Sequence, residues 1–157
     1  MKKGIFAVTM LFAVAGCSES VLDWRNASVS GGMIYEGSNN EPFTGVLTNI
    51  PNIKLPRNND LKELSYFFSE RRDQNKTQNQ GFNLVQLNCN TNVANGRVEG
   101  ETTCFSHDGV VRVFVEDYGN DLGGNVLFYD MTGNKALLTT SFDQGVEQGV
   151  RKVISPR

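Results

Sequence analysis

The chain has 157 residues, enough for one domain of ordinary size. With 39% hydrophobic and 20% charged residues it has the make-up of a folded chain, which excludes wholesale disorder. A formal net charge of −2 excludes a nucleic-acid binder that works by neutralising phosphates, and a single histidine excludes His-rich metal sites and two-histidine catalysis.

The first predicted element is an address. Lys2 and Lys3 form a basic start, and residues 4–14 follow without a charge, with Ile5, Phe6, Val8, Met10, Leu11 and Phe12 as apolar bulk. Small residues then end the run, as in a secretory signal, and the run falls well short of the roughly twenty residues that span a bilayer. The segment Val14-Ala15-Gly16-Cys17 resembles the bacterial lipobox, with Val14 in place of the usual leucine. The resemblance implies cleavage after Gly16, a diacylglycerol thioether on Cys17 and N-acylation of the new terminus. Several acyl chains anchor a protein stably where one does so only marginally. Ser18, not Asp, follows Cys17, and by the sorting rule of Gram-negative lipoproteins this implies the outer membrane, facing the periplasm. The domain map expected is therefore 1–16 signal peptide, 17–30 lipidated tether and 31–157 one β domain. Loss of Lys2 and Lys3 takes the net charge from −2 to −4.

With Cys17 assigned to lipid, Cys89 and Cys104 remain. An exported chain lives where disulfides form, so a Cys89–Cys104 bridge is expected. The alternative is two reduced cysteines in a strand core. A zinc site has no evident fourth ligand.

Residues 18–30 read as a polar leader with one apolar cluster, Val21, Leu22 and Trp24. Residues 32–35 read as a short strand and 42–47 as a second, with Pro42 at its start, where a missing donor is tolerated. These two are expected to pair as a first hairpin. Residues 49–80 contain no glycine. Within them Leu61, Leu64, Phe67 and Phe68 keep helical spacing, and Asp60 with Glu63 has the form of a capping box, which predicts an inserted helix over 60–72. Residues 73–80 read as a polar loop. From 81 onward the chain reads as strand and turn, with apolar strands at 82–87, 110–115, 126–129, 136–138 and 150–154.

Nine glycines fall between Gly96 and Gly149. They keep a period. Asn95-Gly96 leads to Gly100, with Phe105 five residues on and Gly109 nine on. Gly124 is followed by Tyr129 and Gly133 at the same offsets, and Gly145 leads to Gly149, with Ile154 five on. Gly100 and Gly124 are 24 apart, and Gly124 and Gly149 are 25 apart. Tyr118 and Phe142 also match at 24, and Gly45 stands where a more diverged copy would carry the Gly100 role. Each unit reads as two short strands. Asn-Gly accepts the positive φ of a tight hairpin, and the second glycine allows a bend or a close approach. One such hairpin is not stable alone, so stacked copies are expected to share a core.

The pattern Asn-Gly-x-x-x-Gly-x-x-x-x-aromatic-x-x-x-Gly resembles the MORN-type repeat. It is most similar to the bacterial variant in YwqK-type, antitoxin-labelled proteins, which often appear as small lipoproteins. Pro42-Phe43-Thr44-Gly45 resembles that variant's "pyTG" motif. The likeness covers about 95–154 well and 32–47 weakly. It implies a mainly β fold of antiparallel hairpin repeats in an elongated sheet, with one inserted α-helix. The Tyr-x-Gly-x-Trp form of the eukaryotic repeat is absent, so no phosphoinositide binding is implied.

Catalytic candidates are few. Ser106, His107 and Asp108 spell a triad, but adjacent turn residues cannot make its geometry. Glu99 and Glu101, two apart on a strand, are the one carboxylate pair of interest. Asp117, Asn120 and Asp121 lack the EF-hand spacing and its closing glutamate. No metal, cofactor or catalytic residue is therefore expected. The function expected is a lipid-anchored envelope protein that binds an unknown protein partner, with no nucleic acid. Its surface is expected on the sheet face carrying Arg97, Glu99, Glu101, Arg112, Glu116, Tyr118 and Phe128 or Tyr129. Two rivals are an immunity lipoprotein that neutralises a toxin or phage component, and a periplasmic hydrolase using Glu99 or Glu101.

Overall fold

The computed structural model describes residues 19–37, 40–56, 61–63, 87–119 and 121–153. Among the described residues ten strands run in chain order: β1 Val21–Asp23, β2 Ala27–Ser30, β3 Met33–Glu36, β4 Gly45–Pro51, β5 Asn88–Ala94, β6 Arg97–Phe105, β7 Val111–Tyr118, β8 Leu122–Tyr129, β9 Ala136–Asp143 and β10 Val146–Val153. Eight form one sheet in the order β1-β4-β5-β6-β7-β8-β9-β10, and β2 and β3 form a separate ribbon. Among the described residues only the β1–β4 pairing is parallel, and the other strand pairings are antiparallel. The chain is thus mainly β, with its large sheet a meander from β4 to β10.

The meander follows from its turns. Asn95 and Gly96 between β5 and β6, and Gln144 and Gly145 between β9 and β10, all hold positive φ. This is the two-residue turn whose twist matches that of the strands it joins. The β6–β7 and β8–β9 turns are longer and carry Gly109 and Gly133 at positive φ, each donating its N–H three residues back, to Ser106 O and Asp130 O. The first of these loops closes from Ser106 N to Val110 O and the second from Asp130 N to Lys135 O. The second is one residue longer. That residue is the difference between the 24-residue and the 25-residue spacing.

The other glycines of the period sit inside strands. Gly100, Gly124 and Gly149 hold φ of 85°, 65° and 73°, and each lies where the register of its strand slips against the preceding one. A bulge adds unpaired residues to one strand and increases the local twist. The period therefore follows the strands, with a glycine bulge near the start of β6, β8 and β10 and a two-residue turn before β6 and β10.

The core lies on one face of the sheet. Two rows cross it in register: Cys89, Cys104, Val113, Phe128 and Leu138, and Leu47, Thr91, Thr102, Val115, Val126 and Thr140. All of these side chains are buried. Leu22, Ile34, Phe43, Leu55, Leu61 and Leu87 join the same core from outside the meander. Burying one such large apolar side chain contributes about 1.5–3 kcal/mol.

Several expectations need correction. The segment 17–30 does not stand apart as a tether: from Val21 it forms β1, a 3-10 turn at Trp24–Asn26, and β2. Leu22 is the reason, since its burial against β4 fixes that short strand to the sheet edge. Strands 32–35 and 42–47 meet at a single antiparallel bridge, Tyr35 to Pro42, with Phe43 N donating to Ile34 O at 2.9 Å, but their main pairings lie elsewhere. Met33–Glu36 pairs with Ala27–Ser30 across a Gly31-Gly32 turn, and Gly45–Pro51 pairs with Asn88–Ala94. The polar strands β5 and most of β6 had no apolar run to announce them. Of the inserted helix over 60–72, residues 61–63 are helical and the remainder lies outside the described residues. The strand expected at 82–87 also lies outside them except for Leu87, as do the signal segment and Cys17.

Candidate interaction surface

The face opposite the core presents a row read directly from the pairing: Asn90, Thr103, Phe114, Leu127, Thr139 and Lys152. Phe114 and Leu127 are half-buried neighbours at its centre, flanked by threonines. The pleat puts alternate residues on opposite faces, so these six follow from the burial of their neighbours Cys104, Val113, Val126, Phe128 and Leu138. Sequence reading missed this row. Alternation around Val113 and Val126 was its only signal.

Of the residues expected on the exposed face, Arg97, Glu99, Glu101 and Glu116 are exposed. Tyr129 is half-buried. Three are not exposed. Tyr118 and Phe128 have no accessible surface, and Arg112 is buried, with 9% of its surface exposed. Arg112 lies at a bulge: Cys104 faces Val113 and Phe105 faces Val111, which leaves Arg112 as the extra residue. Leu137 is the extra residue at the matching slip between β8 and β9 and is buried in the same way. Arg112 donates from Nη1 to the Met131 sulfur at 3.0 Å. Tyr118 turns inward after the β7–β8 bulge, and its hydroxyl donates to Pro56 O.

Carboxylates beside the bulges have structural work. Glu116 folds over Gly124 and accepts from both the backbone N–H and the side-chain amide of Asn125 at 2.9 Å. Asp117 accepts from Gly100 N at 3.2 Å. A glycine at positive φ turns backbone donors out of the ladder, and these side chains give them partners. Glu99 and Glu101 flank Gly100 on β6, both exposed. Ser106 donates directly to Asp108 Oδ1 at 2.5 Å, so serine and aspartate close their own turn without the His107 ring between them. That bond, with a backbone N–H from Val110, holds the Asp108 carboxyl below the usual carboxylate range. Asp117 and Asp121 are described but Asn120 is not. Among the described residues no three His, Cys, Asp or Glu side chains gather as metal ligands.

The two ends of the sheet differ. At one edge β1 has three residues, tied down by Asp23, which accepts from Arg25 Nε and Nη2 at 2.8 and 2.9 Å and from Asn49 Nδ2 at 2.7 Å. The Arg25 contact above all holds the Asp23 carboxyl far below the usual range. At the other edge β10 runs for eight residues, with Val146 and Val150 exposed at 62% and 86%. Glu147 on this strand accepts from Arg151 and from the Thr140 hydroxyl, and the arginine lowers its pKa.

Cys89 and Cys104 form a disulfide between directly paired residues of β5 and β6, with Cα atoms 3.9 Å apart. Of the period residues, Asn95, Gly96, Gly109, Gly133 and Gly145 lie in turns, and Gly100, Gly124 and Gly149 lie at strand bulges. Phe105 and Tyr129 close β6 and β8, both half-buried. Gly45 opens β4 opposite Val93. Among the described residues no helix is long and apolar enough to cross a membrane. No family model, curated protein or solved structure matches this chain.

Proposed function

We propose that the chain is a lipid-anchored protein of the bacterial cell envelope, held through Cys17 and carrying a non-catalytic protein-interaction module of MORN-like hairpin repeats. The observation that carries the reading is the outer sheet face: a polar row with Phe114 and Leu127 at its centre. Such a face suits a flat protein partner, because the backbone is already paired and side chains alone supply specificity. The lipobox at Cys17 and a disulfide beside it in one chain support placement outside the reducing cytoplasm, at the outer membrane facing the periplasm.

Metabolic labelling with palmitate tests the anchor: the chain takes up label and the Cys17→Ser variant does not. Label retained by that variant would refute it. Affinity capture from envelope extract tests the module. A partner retained by the wild type is lost from a Thr103→Arg/Thr139→Arg variant of the outer row, and a partner held equally by both sinks this choice of face.

A further inference from the structure

A cavity of about 470 Å³ lies between the β2–β3 ribbon and the end of the sheet where β5 turns into β6. Its apolar wall is made by Trp24, Met33, Ile34, Ile50 and Val98. Its size falls within the roughly 300–1,000 Å³ of small-molecule sites. The ribbon is held over it by the backbone: Ile34 N donates to Gly96 O at 2.8 Å, and Ile34 O accepts from Phe43 N at 2.9 Å. The wall on that side is thus fixed to the sheet. Among the described residues the lining includes two cations, Lys54 and Arg97, and no carboxylate. Neither cation has an ion-pair partner among the described residues. Unpaired positive charge gathered here in a chain of net charge −2 sets the cavity against the field of the whole molecule.

We propose that this cavity binds a monomeric anionic amphiphile, a single alkyl chain ending in a carboxylate. The chain lies along the Trp24, Met33 and Val98 wall, and the carboxylate meets Lys54 and Arg97. The apolar wall alone would take a neutral alkyl chain as well. The two cations favour the anion, and an arginine presents donors in a fork that matches a carboxylate. Trp24 is the only tryptophan of the chain, so its emission reports this cavity directly.

The test titrates the full chain carrying Cys17→Ser with decanoate and with decanol, following Trp24 fluorescence. Decanoate gives a saturable blue shift, and decanol binds at least tenfold more weakly. A Lys54→Gln/Arg97→Gln variant abolishes that difference; both positions are exposed, and unchanged circular dichroism confirms its fold. Val98→Phe fills the cavity and loses both ligands. No saturable shift with decanoate, equal affinity for the alcohol, or a double variant that still prefers the anion would each overturn the proposal. So would a Trp24 response seen only with anionic vesicles, since that reports surface docking.

Discussion

At the scale of single residues, the period glycines are not equivalent. Gly149 and Gly124 both hold positive φ, where an L side chain costs about 1–2 kcal/mol. A Cβ on Gly149 would meet nothing within 4 Å, whereas on Gly124 it would lie 2.6 Å from Glu116 Oε2 and 2.9 Å from Glu116 Cβ. Gly124→Ala must also push aside the carboxylate that holds Asn125. Thermal melts should therefore show Gly149→Ala losing a few degrees, at roughly 2–4 °C per kcal/mol, and Gly124→Ala losing clearly more. Equal losses would mean that the Glu116 lid has no weight. The paired threonines of the core give a second case. The hydroxyls of Thr91 and Thr102 lie 2.5 Å apart and are buried. Thr102→Val alone leaves a buried hydroxyl without its partner and should cost about 1–3 kcal/mol by urea denaturation. Thr91→Val/Thr102→Val removes both hydroxyls and should come back close to the wild type. A double variant worse than the single would show that the pair stabilises on balance.

At the scale of elements, the disulfide joins two strands that the ladder already pairs. Its gain lies in the unfolded chain, where closing a loop of 15 residues' separation removes about 3 kcal/mol of conformational freedom in the chain-entropy model. Cys89→Ala/Cys104→Ala should lower stability by about that much, somewhat offset or increased by repacking. Both sulfurs sit in the core, so reductant should act only once the domain unfolds. Mass spectrometry after thiol labelling checks this, with full labelling of the native reduced sample as the contrary outcome. The turns explain which elements were legible. Asn95-Gly96 and the glycines of 106–109 and 130–133 mark chain reversals in the sequence because only certain residues accept those φ values. Strands β5 and most of β6 are polar in sequence, yet they are central in the sheet. Half of their residues face out, and threonines and cysteines fill their inner positions, so no hydrophobic run marked them.

At the scale of the whole molecule, the sheet has a protected middle and unequal ends. β7 and β8 carry Val113, Val115, Tyr118, Leu122, Val126 and Phe128, all fully buried. β10 has exposed valines, and β1 is three residues long. Amide exchange should be slowest in β7 and β8 and fastest in β10 and in the β2–β3 ribbon, because local opening is easiest where few apolar contacts hold a strand. Uniform protection across β7 to β10 would contradict this gradient. The ribbon also forms one wall of the cavity, so occupancy of that cavity should slow its exchange.

The sequence by itself determined the local and the periodic: an apolar start ending in a lipobox-like cysteine, the hairpin turns, the recurrence of glycines, and a β class for the domain. These depend on the chemistry of adjacent residues, which the order of the chain states outright. Only the tertiary structure decided which strands pair, which face is buried, and where Arg112, Tyr118 and Phe128 point. The slips at Arg112, Gly124 and Leu137 insert one residue and those at Gly100 and Gly149 insert two, and a shift of one residue sends every following side chain to the other face. The sequence announces that a glycine stands there. It does not state how many residues its bulge inserts, and that number sets the face of everything beyond it.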